Sequence, residues 1–334
     1  MPEPLTVHNL GELGLLKRLQ AFCPRDIVGD DAAVLSLPPH QRLVVTTDVL
    51  VDGVHFSDRT TPPFDVGWRA AAANLSDLAS MGATPLGITV GLSLPGETPV
   101  AWVEGLYQGM AACLKQFGGE IYGGDLCRSK VVTVSITALG TAQPERVLYR
   151  HAARPGQAIV ATGYHGLSRA GLEVLLHPDN WTNLPDPVCD AWIQAHRRPT
   201  PRFDVLPLLW QLGGRVKNSS VAAMDSSDGL ANAVMQLCRA SGVGARVLAS
   251  HLPLHPDLVI WAGKDRAVNW ALYGGEDFEL VLCMEPSLAQ GLVEQLGDQA
   301  AVVGEITAEP TIYLHDDRTG EVRSLHPDQE FQHF

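Results

Sequence analysis

Short runs rich in Val, Ile and Leu alternate with longer Ala- and Leu-rich stretches of helical period along nearly the whole chain, and this alternation constrains the fold more than any other feature. Leu43 to Thr47, Ile88 to Leu94, Glu120 to Tyr122 and Val131 to Leu139 read as strands, with Asp48 closing the first of them. Between them, Asp65 to Met81 reads as a helix closed by Gly82, and Pro99 to Phe117 as a long helix with Pro near its first turn. An earlier helix is expected from Asn9, because Asn9 and Glu12 have capping-box spacing and Leu13, Leu16, Leu19 and Phe22 recur at helical intervals. After a turn-rich join, TAQPERVLYRHAARPGQ, the pattern resumes. Strands are expected at Ala158 to Thr162, Val221 to Met224, 244–248, 278–284, 301–306 and 311–314; helices near 167–176, 188–196 and 203–212 and from Asp228 to Ser241. Strands and helices mixed throughout define an α/β or α+β class. A chain of 334 residues exceeds one ordinary compact core, so two domains are expected, 1–142 and 150–334, on either side of the join.

Charge narrows the partners. Lys plus Arg is 24 and Asp plus Glu is 37, a net of −13. That balance repels nucleic acid and anionic membrane, and neither a basic block nor an apolar run of membrane-spanning length occurs. The six cysteines, Cys23, Cys113, Cys127, Cys189, Cys238 and Cys283, form no C-x-x-C pair and read as buried or semi-buried free thiols in a reducing compartment. The first residues, MPEPLTVHNLGELG, have neither a basic nor an apolar signal region, so a cytoplasmic location is expected.

The carboxylates are clustered. Asp30 and Asp31 sit in VGDDAA, Asp48 in TTD, Asp77 in NLSD, Asp125 in YGGD, Asp225 and Asp228 in DSSD, and Glu276 and Asp277 in YGGED. Most follow an expected strand or lie in a Gly-rich turn, where side chains reach a common rim. Asp77 instead falls inside an Ala-rich helix, three residues after Asn74 and on the same face; it is either exposed and inert or turned inward for a purpose. If such groups converge, two carboxylates at roughly 4 Å repel by about 4 kcal/mol at an effective dielectric of 20, and a divalent cation removes the conflict. Oxygen donors without His or Cys suit Mg²⁺, Mn²⁺ or Ca²⁺ rather than zinc. Thr46 and Thr47 add further oxygens, while Gly123, Gly124, Gly274 and Gly275 are either phosphate-approaching backbone or ordinary tight turns. In DSSDGL, helix capping accounts for one Ser and for Asp228 but leaves Asp225 unexplained. The chain has no G-x-x-x-x-G-K-[ST] loop, no protein-kinase signature set, no H-E-x-x-H and no nucleophile elbow. His55, just beyond TTD, is either a substrate contact or a satisfied surface or core residue.

In this order GDDAAV, TTDVLVDGVHF, AANLSDLASMGATP, GGD, ARPGQAIVATGYHG, HRRPTPRFD, MDSSDGL, SGVGA and LYGGEDFEL resemble the thiamine-monophosphate kinase family, within the superfamily of aminoimidazole ribonucleotide and selenophosphate synthetases. The resemblance spans about residue 29 to residue 284. It implies a homodimer with a barrel-like core made from the N-terminal mixed sheets, a C-terminal α/β domain closing the cleft, and ATP and several Mg²⁺ ions used to phosphorylate thiamine monophosphate directly. On the matching positions it implies metal contacts at Asp31, Thr46, Thr47, Asp48, Asp77, Asp125, Asp225 and Asp228. It implies ATP contacts at Tyr107, Gly124, Asp125, Arg150 and Ser227, and substrate contacts at His55, Glu276 and Phe331. Among these, Asp48, Asp77, Asp125 and Asp225 would carry catalysis. One departure is Leu126 and Cys127, where the family has two small polar residues after GGD. Two rivals remain: another enzyme of the superfamily, and a non-catalytic Mg-nucleotide-binding module.

Overall fold

The computed structural model describes residues 4–24, 27, 32–213, 221–316 and 319–325. The chain divides into two compact units, Met1–Leu78 with Ala83–Pro144, and Ala79–Gly82 with Glu145–Phe334. Among the described residues no helix is long and apolar enough to cross a membrane.

The first unit runs α1 (Val7–Leu10), α2 (Glu12–Leu19), β1 (Arg42–Val51), α3 (Pro63–Ser80), β2 (Thr84–Leu94), α4 (Val100–Phe117), β3 (Glu120–Arg128) and β4 (Thr133–Ala142). The start differs from the expected Asn9–Glu12 box. Thr6 is the N-cap: its hydroxyl accepts the Asn9 N–H at 3.3 Å while the Asn9 side chain accepts the Thr6 N–H at 3.2 Å. Asn9 therefore takes the reciprocating place of a capping box, and Gly11, at φ 72, ends α1 before Glu12 opens α2. The buried stripe of α2 is Leu15 and Leu19, whereas Leu13 is 83% exposed.

Two strands outrun their apolar cores. β1 continues through Asp48 to Val51 because its antiparallel ladder with β4 holds register from Arg42↔Ala142 to Val51↔Thr133. Asp48 is thus within a strand and not at its end. β3 runs parallel to β2 through Gly123, Gly124 and Asp125, so this Gly-Gly pair is strand and not turn. A side chain at Gly124 would stand 2.0 Å from the Val90 carbonyl oxygen, so strand approach already requires a glycine there.

The strand order is β1-β4-β2-β3, with β1 and β3 at opposite edges. Side chains alternate between the faces. Ile88, Val90, Leu92, Val134, Ile136 and Ala138 are buried, as are Leu75 and Leu78 of α3 and Val103, Leu106 and Met110 of α4. The other face is open. Leu43, Val45 and Val49 are 46%, 53% and 44% exposed. Thr47 sits between them on the same face, joined to Thr137 hydroxyl-to-hydroxyl at 2.7 Å.

The second unit contains β5 (Ala158–Ala161), α5 (Leu167–Leu176), α6 (Asp186–Arg197), α7 (Val205–Gly213), β6 (Ala222–Asp225), α8 (Leu230–Ser241), β7 (Gly244–Leu248), α9 (Pro256–Ala262), α10 (Lys264–Tyr273), β8 (Leu280–Met284), α11 (Pro286–Leu296), β9 (Ala301–Thr307), β10 (Ile312–Asp316) and β11 (Glu321–Ser324). Its sheet order is β11-β10-β7-β9-β5-β8-β6. Every residue of β5, β6 and β8 is buried, and alternate residues feed two cores. Ile159, Met224, Val281 and Cys283 cluster with Leu230, Val234 and Leu237 of α8. Val160, Ala223, Leu280 and Leu282 cluster with Val205 and Leu209 of α7 and Leu292 of α11. Each fully buried Leu or Val contributes about 1.5–3 kcal/mol, which is why apolar runs with no polar alternation form strands here. Among the described residues β11 is the strand the periodicity does not announce: EVRS is short and polar and is held by pairing with β10.

A buried ion pair fastens the strand ends of this unit. Arg202, 5% exposed, donates through Nη1 to the Thr162 carbonyl at 2.8 Å and to the Glu279 carboxylate. It also forks onto Asp204 through Nε and Nη2, both at 2.9 Å. The Thr162 hydroxyl donates to Glu279 at 2.7 Å and accepts the Leu280 N–H at 2.9 Å. Arg202→Met leaves the Glu279 charge without its cation and is expected to destabilise the protein by about 3–5 kcal/mol. Urea unfolding measures this, and an unchanged midpoint would show that Glu279 does not depend on Arg202.

Candidate active site

In the first unit the TTD segment of β1 meets α3 side on. Thr46 Oγ1 donates a hydrogen bond to Asp77 Oδ2. One turn earlier on α3, the Asn74 Oδ1 accepts the Asp48 N–H at 3.1 Å, and its Nδ2 donates to the Ala70 carbonyl at 2.9 Å. Asn74 is fully buried and Asp77 half-buried, so Asp77 is turned toward the strand; the inward reading of this mid-helix aspartate holds. Thr46 and Asp48 lie on the helix-covered side of β1, whereas Thr47 lies on the open face. The His55 Nδ1 accepts the Val51 N–H at 3.0 Å, which puts the proton of the neutral ring on Nε2. Arg69 Nη1 donates to the His55 carbonyl at 3.0 Å and fixes that turn.

Asp125 stands elsewhere in the sheet. The ladder aligns it with Gly91, Ser135 and Val49 along one row of the open face, at the β3 edge. β4 and β2 separate it from β1, a distance of three strand spacings, about 14 Å. Cys127, two residues on, is exposed, unlike the buried or semi-buried thiol expected, because it lies on the edge strand β3; its sulfur is 2.9 Å from the Ser93 hydroxyl. Tyr107 is buried in α4 at 5% exposure, with its ring 5.8 Å from Phe22. Asp30, Asp31 and Phe331 lie outside the described residues.

In the second unit β6 delivers Asp225, 2% exposed, into a turn closed by the Gly229 N–H on the Ser226 carbonyl at 3.0 Å. The Ser227 hydroxyl donates to Asp225 Oδ1 at 3.1 Å. α8 begins at Leu230 with Gly229 as N-cap and no side-chain cap, so neither serine caps it and Asp228 precedes its first turn. The reason is the competing turn, which occupies the backbone before the helix can start. Arg150 is exposed in a 3-10 turn, and its Nη1 donates to Gln236 Oε1 at 2.7 Å. Gly274 ends α10, and Gly275, at φ 67, leads into Glu276, whose N–H donates to the Ser227 carbonyl at 2.6 Å. The DSSD turn and the GGED segment therefore adjoin.

Sequence reasoning missed the polar groups behind these segments, His165 buried and Asp277 half-buried. His165 Nδ1 faces the Gly163 carbonyl at 2.9 Å and its Nε2 the Ser226 hydroxyl at 3.0 Å. Burial holds its pKa down to about 4, so the ring is neutral, donating from Nδ1 and accepting from Ser226. Asp277 accepts the N–H groups of Gly166 and Ser168. Burial first, then the charges of Glu279 and Glu276, push its carboxyl up to about 7 against those two hydrogen bonds. A lone His in GYHG and an Asp beside Glu276 carry no local signal for such contacts.

Among the described residues no three His, Cys, Asp or Glu side chains gather in a shape that could hold a metal. The expected ligands are instead distributed: Thr46, Asp48 and Asp77 together, Thr47 and Asp125 on the open face, and Asp225 and Asp228 in the second unit. All are oxygen donors, a set that suits a hard divalent cation.

The class follows from both units. Residues 29–142 match the AIR synthase related protein, N-terminal domain, and residues 154–317 match the AIR synthase related protein, C-terminal domain. Over 330 residues, 98% of each chain, the protein is 54% identical to a thiamine-monophosphate kinase of Synechococcus elongatus. A crystal structure of thiamine-monophosphate kinase from Stenotrophomonas maltophilia K279a superimposes with a TM-score of 0.76 at 33% identity, covering 90% of this chain and 95% of that one. A structure of AaThiL complexed with AMPPCP and TMP superimposes with a TM-score of 0.76 at 30% identity, covering 99% of both. The chain belongs to the thiamine-monophosphate kinase family.

Proposed function

We infer that this chain is a thiamine-monophosphate kinase, moving the γ-phosphate of ATP onto the phosphate of thiamine monophosphate to give ADP and thiamine diphosphate. The observation that carries the reading is Asp77, an aspartate inside an Ala-rich helix turned onto the TTD strand and bonded by Thr46. Helix propensity gives no reason for it there; an oxygen site does. The near full-length similarity to a thiamine-monophosphate kinase supports the choice of acceptor.

The acceptor oxygen is already ionised at neutral pH, so the reaction needs no general base. It needs two phosphates brought together and their charge neutralised. Mg²⁺ would be held by Asp31, Thr46, Thr47, Asp48, Asp77 and Asp125 of the N-terminal domain (1–142) and by Asp225 and Asp228 of the C-terminal domain (150–334). Bound there it supplies the positive charge that a protein of net −13 lacks. Tyr107, Gly124, Arg150 and Ser227 take ATP, with Arg150 able to fork onto phosphate. His55, Glu276 and Phe331 take thiamine monophosphate. Leu126 and Cys127 stand on the nucleotide side in place of the family's two small polar residues.

The working form is a cytoplasmic homodimer. The open apolar face of the β1-β4-β2-β3 sheet, with Leu43, Val45 and Val49 each more than 40% exposed, is the surface a second copy covers, closing a barrel-like core. Such packing brings the β3 edge of one copy to the β1 edge of the other. Asp125 of the partner subunit then reaches the β1 edge, where Thr47 shares its face and Asp48 lies one residue on, an approach that three strand spacings prevent within one chain.

Cys23 argues against selenophosphate chemistry. Burial pushes its thiol pKa up, and its S–H points at the Leu19 carbonyl, 3.9 Å away, whereas a reactive cysteine needs a lowered pKa. Incubation with thiamine monophosphate, ATP and Mg²⁺ is expected to yield thiamine diphosphate and ADP in equal amounts, read by chromatography. Tight Mg-ATP binding without any diphosphate formed would replace this reading with a non-catalytic nucleotide-binding module.

A further inference from the structure

The segment Gly275-Glu276-Asp277-Phe278 adopts a conformation that ordinary residues resist. Glu276 has φ 58 and Phe278 has φ 53, both in the left-handed region. Non-glycine residues stay there only where their surroundings over-determine the backbone. Asp277, between them, supplies that support. Its Oδ2 accepts the Gly166 N–H at 2.6 Å and its Oδ1 accepts the Ser168 N–H at 2.9 Å. Gly166 is the N-cap of the ten-residue α5, with no side-chain cap of its own, so a carboxylate from 111 residues away satisfies donors that a local Ser or Asp would ordinarily take.

Two further contacts converge on Glu276. Its N–H is held by the Ser227 carbonyl at 2.6 Å. The Ser168 hydroxyl lies 3.1 Å from His196 Nδ1, and that same nitrogen stands 3.6 Å from Glu276 Oε2. The His196 side chain is 2% exposed and that of Glu276 33% exposed. The half-buried carboxylate is thus carried on a frame built from α5, α6 and the DSSD turn. Capping α5 alone would need one acceptor and no left-handed residues on either side of it.

We propose that Asp277, seated on the N-terminus of α5, and the Ser168–His196 pair are positioning residues that aim the Glu276 carboxylate at the acceptor substrate. The proposal deepens the kinase reading above and rests on Glu276 touching thiamine monophosphate. Neither group touches ATP or metal in that reading, so their loss weakens acceptor binding selectively.

Steady-state kinetics of the full-length enzyme tests this with Glu276→Gln, Asp277→Asn, Ser168→Ala and the double variant Glu276→Gln/Asp277→Asn. Asn keeps the size of Asp277 but turns an amide donor toward one of the two N–H groups. Asp277→Asn is expected to raise the KM for thiamine monophosphate about tenfold, and Ser168→Ala about threefold, with the KM for ATP within about twofold of wild type. The double variant should bind the acceptor no worse than Glu276→Gln alone, because the frame acts through that carboxylate. The proposal is overturned if Asp277→Asn and Ser168→Ala leave acceptor KM unchanged while Glu276→Gln raises it. It is equally overturned if the Asp277→Asn factor multiplies the Glu276→Gln factor in full. A Glu276→Gln enzyme with unaltered acceptor KM removes the substrate contact itself, and the proposal with it; the two failures differ in what Glu276→Gln does. Should Asp277→Asn not fold, Ser168→Ala decides, since it deletes one hydroxyl and leaves the backbone N–H on Asp277.

Discussion

Asp77→Asn is expected to lower kcat by about a thousandfold while the protein keeps its fold and melting temperature. Asn has the shape of Asp and can still accept the Thr46 hydroxyl, so the α3–β1 contact survives. What it loses is charge. The neutral amide keeps that contact but is a poor ligand for a hard divalent cation, so the change costs the Mg²⁺-loaded enzyme a carboxylate. Initial rates at saturating ATP and Mg²⁺, together with thermal melts, separate the two effects. A variant that turns over at close to the wild-type rate would remove Asp77 from the metal site and return it to the bland reading of a surface residue on a helix.

The second large effect concerns Asp125. Asp48→Asn and Asp125→Asn should each be nearly inert, yet an equimolar mixture allowed to exchange subunits should regain about a quarter of wild-type activity. The argument is one of distance. Asp48 and Asp125 occupy strands at opposite edges of one sheet, about 14 Å apart. Oxygens sharing a Mg²⁺ ion lie about 2.0–2.1 Å from it, so one chain cannot bring both carboxylates to one ion. If the partner supplies Asp125, half of the dimers formed at random are mixed, and each mixed dimer has one intact site and one doubly mutated site. Tagged subunits verify that mixed dimers form. Mixed dimers with no activity would show that the two residues serve one chain's site or separate tasks.

These two expectations differ in how much of each was legible beforehand. Asp77 stands out in one dimension because aspartate is a poor choice inside an Ala-rich helix, and its i, i+3 spacing from Asn74 puts both on one face. Which way that face turns depends on β1, a partner about thirty residues away along the chain, and became visible only in the Thr46 hydrogen bond. In sequence Asp125 reads as its equal, one more acidic residue in a Gly-rich turn, whereas in the fold β3 pairs with β2 through both glycines. The Gly-Gly pairs show the same limit: Gly123 and Gly124 lie in a strand, Gly274 and Gly275 in the irregular segment that ends α10, though their local sequences are alike. The capping serines of DSSD were a local inference that a local competitor, the turn closing on Gly229, defeated.

By itself the sequence determined the α/β class, the positions of long periodic elements such as α4 and α5, the completely apolar strands of the second unit, and the chemical character of the site as oxygen-rich and acidic. These depend on period, composition and hydrophobicity, which neighbouring residues express without help. Only the tertiary structure decided where β1 and β3 end, which face each acidic residue occupies, that Asp277 reaches across to α5, and that Asp48 and Asp125 stand at opposite edges of the sheet. Those outcomes depend on hydrogen bonds and packing between residues far apart in the chain, and no local pattern encodes a partner's position.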